Sequence, residues 1–250
     1  MMAAGESSQN GPTLSVIVPA YNEERGLAGT LRTLARYLAA KPWRWEVRVV
    51  DDGSSDATRQ VVDQFSRSEP RVVLQPEPHR GKGGAVRAGM IASGAAFRFM
   101  CDADLSMPVH ELDRFMPPAL GDADVAIGSR EGVGARRVGE PLFRHLAGRV
   151  FNSLVRLSTI RDIQDTQCGF KMFTAAAAEA IFPRVTVEGW AFDIEVLYLA
   201  RLHNLRVREV PIEWHFRADS RLRMGRDAIA MLREVMRVRQ RARRGDYMRS

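Results

Sequence analysis

The feature that most constrains the fold is an alternation of short apolar runs with amphipathic segments through the first half of the chain. Five runs predict buried strands: Leu14–Val18, Glu46–Val50, Arg71–Leu74, Phe97–Met100 and Val125–Ile127. Helices are predicted between the early strands, over residues 23–40, from Ser55 or Asp56 past Phe65, and from Gly83 to about Ser93. This rhythm predicts an α/β fold with a mostly parallel sheet and helices on both faces.

The second half of the sequence is less regular and predicts mainly helices. These cover residues 140–158, an alanine-rich stretch after Thr174, residues 192–203 and residues 224–244, with a loop over residues 159–174 and a late strand at residues 206–210. Without an internal repeat or a Gly/Ser linker, residues 13–220 predict a single domain. Residues 1–12 predict a disordered leader, and residues 221–250 predict an appended basic amphipathic helix.

Polar segments follow three of the predicted strands. They are Pro19-Ala-Tyr-Asn-Glu23, Asp51-Asp-Gly-Ser-Ser-Asp56 and Asp102-Ala-Asp104. Ligands of parallel sheets bind beyond the carboxyl ends of the strands, so these segments are candidates for a binding site. Asp52 is suited to accept hydrogen bonds from a base or a ribose, although an Asp-Gly-Ser segment also forms Asx turns and helix caps.

Asp102 and Asp104 are candidate ligands of a divalent metal. In an extended chain, alternate residues point the same way, which would bring both carboxylates to one ion. Such oxygen ligands suit Mg²⁺ or Mn²⁺ carrying substrate phosphates. An isolated Asp-x-Asp is common, but here it follows a predicted strand, with the acidic loop at Asp51 two strands earlier.

The segment Arg80-Gly-Lys-Gly-Gly84 has the features of an anion-binding loop. Its glycines permit close backbone approach, a helix N-terminus follows, and Lys82 adds a positive charge. It is not a P-loop, because the P-loop spacing and the hydroxyl residue after the lysine are missing. A plain turn is the alternative.

The net charge of +7 resides in the C-terminal tail. Residues 221–250 hold ten arginines against three acidic residues, which accounts for the whole surplus. Such a tail indicates a polyanionic partner, either lipid headgroups or nucleic acid, or else a solvated basic helix. A nucleic-acid-binding tail would interleave aromatic residues, whereas only Tyr247 occurs here, so no nucleic-acid partner is expected.

The tail helix also carries apolar residues on one side. They are Met224, Ala228, Met231, Leu232, Val235 and Val238. This pattern predicts a helix that lies among lipid headgroups or packs on a partner subunit, which leaves oligomerisation open. No run of about 18 apolar residues occurs, and two cysteines favour a reducing compartment. We therefore expect a cytoplasmic protein peripherally associated with a membrane.

Together these segments resemble the family 2 glycosyltransferases with a GT-A fold, and within them the dolichyl-phosphate β-glucosyltransferases. The resemblance rests on the motifs Val16–Glu24, Val49–Asp56, Arg80–Ala85, Asp102–Asp104, Gly128–Arg130, Arg161-Asp-Ile-Gln-Asp-Thr-Gln-Cys-Gly-Phe-Lys171 and Trp190-Ala-Phe-Asp-Ile-Glu195. It runs from about Leu14 to Trp214. Arg-Gly-Lys-Gly-Gly, Asp-Thr-Gln-Cys-Gly-Phe-Lys and Trp-Ala-Phe-Asp indicate the branch that acts on polyprenyl phosphates.

The resemblance also implies residue roles. A nucleotide pocket is implied for Pro19, Tyr21, Glu23, Asp52, Lys82 and Asp102. A metal is implied at Asp102 and Asp104, with Ser106 where relatives have an amide. A site for the acceptor phosphate is implied for Arg130, Arg144 and Lys171. Asp165 matches a carboxylate proposed as catalytic in relatives, so Asp165, Arg130 and Lys171 form the implied catalytic set.

The implied reaction is an inverting, metal-assisted transfer of glucose from UDP-glucose to a polyprenyl phosphate at a membrane surface. An acceptor phosphate is already ionised, so cations that hold two phosphates together matter more than a strong base. GDP-mannose is the alternative donor. Outside catalysis, a nucleic-acid-binding protein and a catalytically silent sugar-nucleotide sensor are the alternatives. The first leaves the acidic strand ends unexplained, and the intact Asp-x-Asp argues against the second.

Overall fold

A computed structural model describes residues 11–141, 162–216 and 226–248. Its strands are β1 (Leu14–Ala20), β2 (Trp45–Asp52), β3 (Val72–Glu77), β4 (Phe97–Met100), β5 (Val125–Ser129), β6 (Arg136–Val138), β7 (Lys171–Thr174), β8 (Val207–Pro211) and β9 (Glu213–His215). Its α-helices are α1 (Leu27–Ala39), α2 (Thr58–Ser68), α3 (Lys82–Ala92), α4 (Ala175–Ile181), α5 (Phe192–Leu202) and α6 (Arg226–Arg244). The α/β fold predicted from the sequence is confirmed.

Seven strands form one twisted sheet in the order β3-β2-β1-β4-β7-β5-β8. Every pairing is parallel except those of β7, which runs antiparallel to both β4 and β5. The chain order reverses beside β1, whose neighbours are β2 and β4. Crevices at such reversals are the usual ligand sites of open α/β sheets. The polar segments at the carboxyl ends of β1, β2 and β4 all lie there.

Two apolar layers cover the faces of this sheet. On one face, Leu31 and Leu34 of α1 pack against Val16 and Val47 of the strands. The opposite face is covered by α3, α4 and α5. Gly89 allows α3 to lie close to the sheet, since a Cβ there would be 2.5 Å from Ile17 Cγ2. The alternating side chains of buried parallel strands therefore supply both layers, as the apolar runs predicted.

The prediction of a loop up to Thr174 was wrong at its end, because residues 171–174 form β7 in the middle of the sheet. This segment has no long apolar run, and its first residue is a lysine. A strand between two neighbours is stabilised by pairing on both edges, which single-sequence periodicity does not detect. The short β6–β9 ribbon was also missed.

The C-terminal helix packs on the body of the protein. Met231 and Val235 are buried against Ala191 and Ile194, and Val238 is buried as well. The expectation that this apolar side faces lipid or a partner subunit was wrong for these residues, because the domain itself covers them. Residues 1–10 of the predicted leader and residues 142–158 of the predicted helix lie outside the described residues.

Candidate active site

The loops after β1 and β2 are tied together at the carboxyl edge of the sheet. Asn22 Oδ1 accepts hydrogen bonds from Ser55 N at 2.8 Å and from Asp56 N at 3.3 Å. The backbone N–H of Glu23 donates to Thr58 Oγ1 at 2.7 Å. These bonds position Tyr21 and Glu23 beside β2, and Pro19 lies half-buried at the end of β1. The predicted nucleotide-pocket residues of the first loop are therefore brought together with Asp52.

Asp52 is buried and anchors the loop that follows β3. Its carboxylate accepts from Arg80 N at 2.8 Å and from Gly81 N at 2.9 Å. His79 Nδ1 lies 2.8 Å from the same carboxylate, and the His79 ring stacks on Tyr21 with centroids 4.2 Å apart. No role was predicted for His79, although its position one residue before the Arg80 motif was a signal. Tyr21 and His79 together form an aromatic wall next to Asp52.

The Arg80–Gly84 segment differs from the predicted anion loop in how its backbone is used. Gly83 N donates to Glu188 O at 2.8 Å and Gly84 N donates to the same oxygen at 3.2 Å. A Cβ on Gly83 would lie 2.5 Å from Val187 O. Gly83 is needed because the backbone of residues 187–188 approaches closely. The N–H groups of Gly83 and Gly84 are already satisfied by Glu188. Lys82 remains as the group that this loop offers to an anion.

Asp102 and Asp104 lie in a turn, so the expected extended geometry was wrong. Strand β4 ends at Met100, Leu105 N donates to Asp102 O at 3.2 Å, and Leu105 has a positive φ of 47°. Asp102 Oδ1 lies 2.5 Å from Lys82 Nζ. Asp104 accepts from Ser106 N at 2.9 Å and from Ser106 Oγ at 2.7 Å.

The two carboxylates nevertheless act on one region. Burial lowers the pKa of Lys82, but the charges of Asp102, Asp193 and Asp104 outweigh burial and raise it. Burial raises the pKa of the Cys101 thiol, and the charges of Asp102 and Asp104 raise it further. The charges of both aspartates therefore act on the Lys82 ammonium group and on the Cys101 thiol.

Lys171 is enclosed by the protein. It is 0% exposed, and its Nζ donates to Asp193 Oδ1 at 2.6 Å and to Cys168 O at 2.5 Å. Burial raises the pKa of Asp193, and the charges of Lys171 and Lys82 oppose that rise without cancelling it. This arrangement differs from the expected direct contact between Lys171 and a phosphate. Lys171 instead joins β7 to the start of α5, beside Lys82 and Asp102.

Arg130, the residue directly after β5, forms a bidentate ion pair with Asp165. Arg130 Nε lies 2.7 Å from Asp165 Oδ2 and Arg130 Nη2 lies 2.9 Å from Oδ1. Arg130 N also donates to this carboxylate at 2.9 Å. Burial alone would raise the pKa of Asp165, but the charge and hydrogen bonds of Arg130 lower it to about 2. Asp165 is thus ionised at neutral pH and holds the guanidinium of Arg130.

Trp214 of β9 lies close to two arginines. The guanidinium carbon of Arg130 is 5.4 Å from the centre of the Trp214 ring, and that of Arg137 is 5.9 Å away. Arg137 Nε donates to Arg130 O at 3.1 Å. This cationic and aromatic surface was not predicted, because it depends on the pairing of β6 with β9. Arg144, predicted to bind the acceptor phosphate, lies outside the described residues.

The strand register brings these two parts of the site side by side. In the sheet, Lys171 of β7 lies opposite Met100 of β4 and opposite Ile127 of β5. A Cβ on Gly169 would overlap the carboxylate of Asp102, so the backbone before β7 touches the aspartate turn. The aspartate turn and Arg130 therefore lie at the same edge of the sheet.

The aspartate turn has the chemistry to hold a divalent ion that also binds a diphosphate. No group of three or more His, Cys, Asp or Glu side chains in the described residues forms a closed metal site. Mg²⁺ and Mn²⁺ in phosphate-transfer sites commonly take one or two carboxylates and complete their coordination with substrate phosphates and water. Asp102, Asp104 and the Ser106 hydroxyl supply oxygen ligands of this type.

In open α/β sheets, ligands such as dinucleotides bind beyond the carboxyl ends of the strands where the strand order reverses, and the polar strand ends of this protein lie at that place. Residues 15–182 match the family described as Glycosyl transferase family 2. The chain therefore belongs to glycosyltransferase family 2, and the expected class of enzyme and the GT-A-like fold are confirmed.

Curated relatives agree with this membership. A dolichyl-phosphate beta-glucosyltransferase of Drosophila melanogaster is 39% identical over 236 residues, which cover 86% of this chain and 72% of the relative. The enzyme of the same name from Dictyostelium discoideum is 34% identical over 240 residues, or 90% of this chain and 73% of the relative. The chain is thus related over most of its length to dolichyl-phosphate β-glucosyltransferases.

Solved structures share the fold at low sequence identity. Glucosyl-3-phosphoglycerate synthase from Mycobacterium tuberculosis in complex with UDP superposes with a TM-score of 0.62 at 21% identity, covering 91% of this chain and 79% of that one. A complex of the same enzyme with Mn²⁺, UDP and glucosyl-3-phosphoglycerate gives a TM-score of 0.63 at 17% identity, with coverages of 90% and 80%.

None of the helices in the described residues combines the length and apolar character that crossing a bilayer requires.

Proposed function

We propose that this enzyme transfers glucose from UDP-glucose to a polyprenyl phosphate such as dolichyl phosphate, with inversion at the anomeric carbon. One observation carries the proposal: the Asp102–Asp104 turn with Lys82, and the Arg130 guanidinium, lie at the same edge of one sheet. The first group suits a donor diphosphate, and the second suits an acceptor phosphate. The names of the relatives support this choice of acceptor and sugar.

The donor side is supported by the aromatic wall and by Asp52. A base could stack on the Tyr21–His79 pair, while Asp52 holds the Arg80–Gly81 backbone in place. A solved structure of the same fold contains Mn²⁺ and UDP-glucose with glycerol 3-phosphate, which supports a uridine donor and a divalent metal. Mg²⁺ or Mn²⁺ would be held by Asp104 and Asp102, and it would neutralise charge on the leaving diphosphate.

Lys82 is proposed to hold the diphosphate in the same way as the metal, by charge. In the described structure its ammonium group is paired with Asp102 at 2.5 Å and lies 5.5 Å from the ring centre of Trp190. Binding of the diphosphate would exchange this intramolecular partner for a phosphate oxygen. Trp190, with 37% of its surface exposed, is proposed to contact the transferred sugar.

The reaction is a single displacement. A non-bridging oxygen of the acceptor phosphate forms a bond to the anomeric carbon, while the bond from that carbon to the diphosphate oxygen breaks and UDP leaves with the electron pair. The acceptor oxygen is already ionised, so no side chain has to remove a proton. The residues have instead to bring two anions together and align them for attack.

Arg130 is proposed to bind the acceptor phosphate. Asp165 uses the Nε and Nη2 edge of the guanidinium, and within the described residues Nη1 makes no hydrogen bond. The side chain is 22% exposed, so this remaining edge can donate to a phosphate oxygen. Asp165 and Lys171 are proposed as positioning residues, Asp165 for the guanidinium and Lys171 for the β7–α5 junction.

The membrane surface is proposed to be contacted by the arginines of α6. Because the apolar side of this helix is buried in the protein, attraction to anionic lipids would come from exposed residues such as Arg233 and Arg237. Basic residues near an anionic surface contribute on the order of 1 kcal/mol each. The binding is therefore expected to be peripheral and sensitive to salt.

The test of the reaction is a panel of nucleotide sugars, including UDP-glucose and GDP-mannose, offered with a short polyprenyl phosphate and Mn²⁺ or Mg²⁺. We expect transfer from UDP-glucose and a β-linked product detected by NMR. Preference for GDP-mannose would show a mannosyl enzyme with the same acceptor. Transfer from UDP-glucose to a water-soluble phosphate acceptor but not to the lipid would refute the proposed acceptor.

The test of the membrane contact is sedimentation with vesicles containing phosphatidylglycerol. We expect Arg233→Gln/Arg237→Gln to bind more weakly than the wild type, whereas the matched pair Arg32→Gln/Arg36→Gln on α1 binds as the wild type does. Both double variants remove the same charge from exposed helix positions. Equal loss in the two would show that net charge, rather than the face of α6, drives binding.

A further inference from the structure

Glu195 of α5 is a buried carboxylate for which the reaction described above has no use. It is 0% exposed. Its Oε2 accepts from Thr186 N at 2.8 Å and Val187 N at 2.7 Å, and its Oε1 accepts from Thr186 Oγ1 at 2.7 Å. A fourth donor, Tyr247 OH, reaches Oε1 at 2.6 Å. A buried charge with four donors is satisfied, but each donor becomes costly to remove.

The segment that Glu195 holds is the one that supports the Lys82 loop. The backbone carbonyl oxygen of Glu188 accepts hydrogen bonds from Gly83 N and Gly84 N. A Cβ on Gly81 would lie 2.6 Å from that same oxygen. Residues 186–188 therefore form the floor on which the first turn of α3 rests. Any shift of this floor moves the backbone that carries Lys82.

The C-terminal segment also bonds to the residues around this floor. Glu234 Oε2 of α6 accepts from Ala191 N at 3.3 Å, and Arg241 Nη1 donates to Thr186 Oγ1 at 2.5 Å. Gly245, with φ of 74°, ends α6 and turns the chain back. Tyr247 is thereby placed in the core at 3% exposure, although the sequence predicts the basic tail to be an appendage.

We propose that the Tyr247–Glu195 contact positions the donor site: the C-terminal segment holds residues 186–188, which hold the α3 N-terminus and Lys82. Tyr247 and Glu195 are positioning residues, because neither reaches the aspartate turn in the described structure. The proposal rests on the proposed function for the identity of the donor. It makes the tail a component of the nucleotide-sugar site as well as a basic surface.

The test uses the full-length protein and Tyr247→Phe, which removes the fourth donor and keeps the ring. We expect the amides of Gly83, Gly84, Thr186 and Val187 to exchange with deuterium about tenfold faster. Loss of a hydrogen bond to a charged group is large enough to raise the local opening equilibrium by about tenfold or more. We also expect the Kd for UDP in the presence of Mn²⁺, measured by calorimetry, to rise several-fold. Glu195→Gln should give larger effects in both measurements.

The matched control is Tyr198→Phe, which removes a hydroxyl from the ring next to Tyr247, 5.8 Å away between centroids. It should leave both the four exchange rates and the UDP affinity unchanged. Unchanged exchange in Tyr247→Phe overturns the proposal even if the melting temperature falls. Faster exchange with unaltered UDP affinity also overturns it, because the floor would then not position the donor site. These readouts do not require sugar transfer, so a failure of the proposed reaction is recognised separately, by the wild type showing no transfer.

Discussion

Replacing Asp165 by asparagine tests whether this carboxylate is a general base or the support of Arg130. The substitution keeps the shape but removes the charge that receives Arg130 Nε at 2.7 Å, Nη2 at 2.9 Å and N at 2.9 Å. The pKa of Asp165 is lowered from 3.8 to about 2 by Arg130, against the opposing effect of burial. At about 1.4 kcal/mol per pKa unit this corresponds to roughly 2 kcal/mol of stability, and breaking a buried pair costs about 3–5 kcal/mol. We expect Asp165→Asn to lower the free energy of unfolding by about 2–4 kcal/mol.

The pH dependence follows from the sign of the shift. A carboxylate whose pKa is lower in the folded state stabilises the protein above its unfolded pKa, and this contribution is lost as pH falls through the folded value. For Asp165 the difference between wild type and Asp165→Asn should be constant from pH 7 to about 5 and should shrink between about pH 4 and 2. Urea unfolding followed by circular dichroism at several pH values measures it.

A matched control is Asp162→Asn, since Asp162 pairs with Arg201 at 2.8 Å on the surface, with side-chain exposures of 64% and 50%. Exposed pairs of this kind are worth less than about 1 kcal/mol, so little change is expected. One result would contradict this expectation: Asp165→Asn is as stable as the wild type at pH 7, yet it has lost turnover and, in the pH dependence of the rate, an ionisation near neutral pH. That result would identify Asp165 as a proton acceptor.

Three further substitutions test the site. Asp104→Asn should reduce metal-dependent transfer on the order of a hundredfold or more while leaving the circular dichroism spectrum unchanged, because several kcal/mol of charge stabilisation depend on the metal. Gly83→Ala should destabilise the fold by about 1–3 kcal/mol in urea unfolding, because its Cβ would lie 2.5 Å from Val187 O. Lys171→Met should cost about 3–5 kcal/mol in the same assay, since it leaves the Asp193 carboxylate buried without its cation.

Full turnover of the wild type in excess EDTA would refute the metal. Gly29→Ala in α1, where a Cβ meets nothing within 4 Å, should be neutral or stabilising by up to about 1 kcal/mol; if it is as harmful as Gly83→Ala, close approach is not the cause. If Lys171→Met is stable but no longer responds to lipid phosphate, Lys171 contacts the acceptor directly.

The sequence by itself determined the parts of this protein that depend on local patterns. Apolar runs predicted the strands of the parallel half within a few residues, because a buried parallel strand is apolar on both faces and its sequence shows it. Polar strand ends at Asp52, Asp102 and Asp104 indicated the edge that holds the candidate site. The family resemblance then followed from motifs in order along the chain.

The tertiary structure decided how those residues are used. Strand β7 was missed because its stability comes from neighbours on both edges, and its pairing enclosed Lys171 instead of presenting it. Gly81 and Gly83 accommodate the backbone of residues 187–188, a contact between segments about a hundred residues apart. The apolar side of α6 found its partner in the same chain. Periodicity shows that a residue will be buried, but which surface buries it depends on long-range packing, and that is settled only when the whole chain has folded.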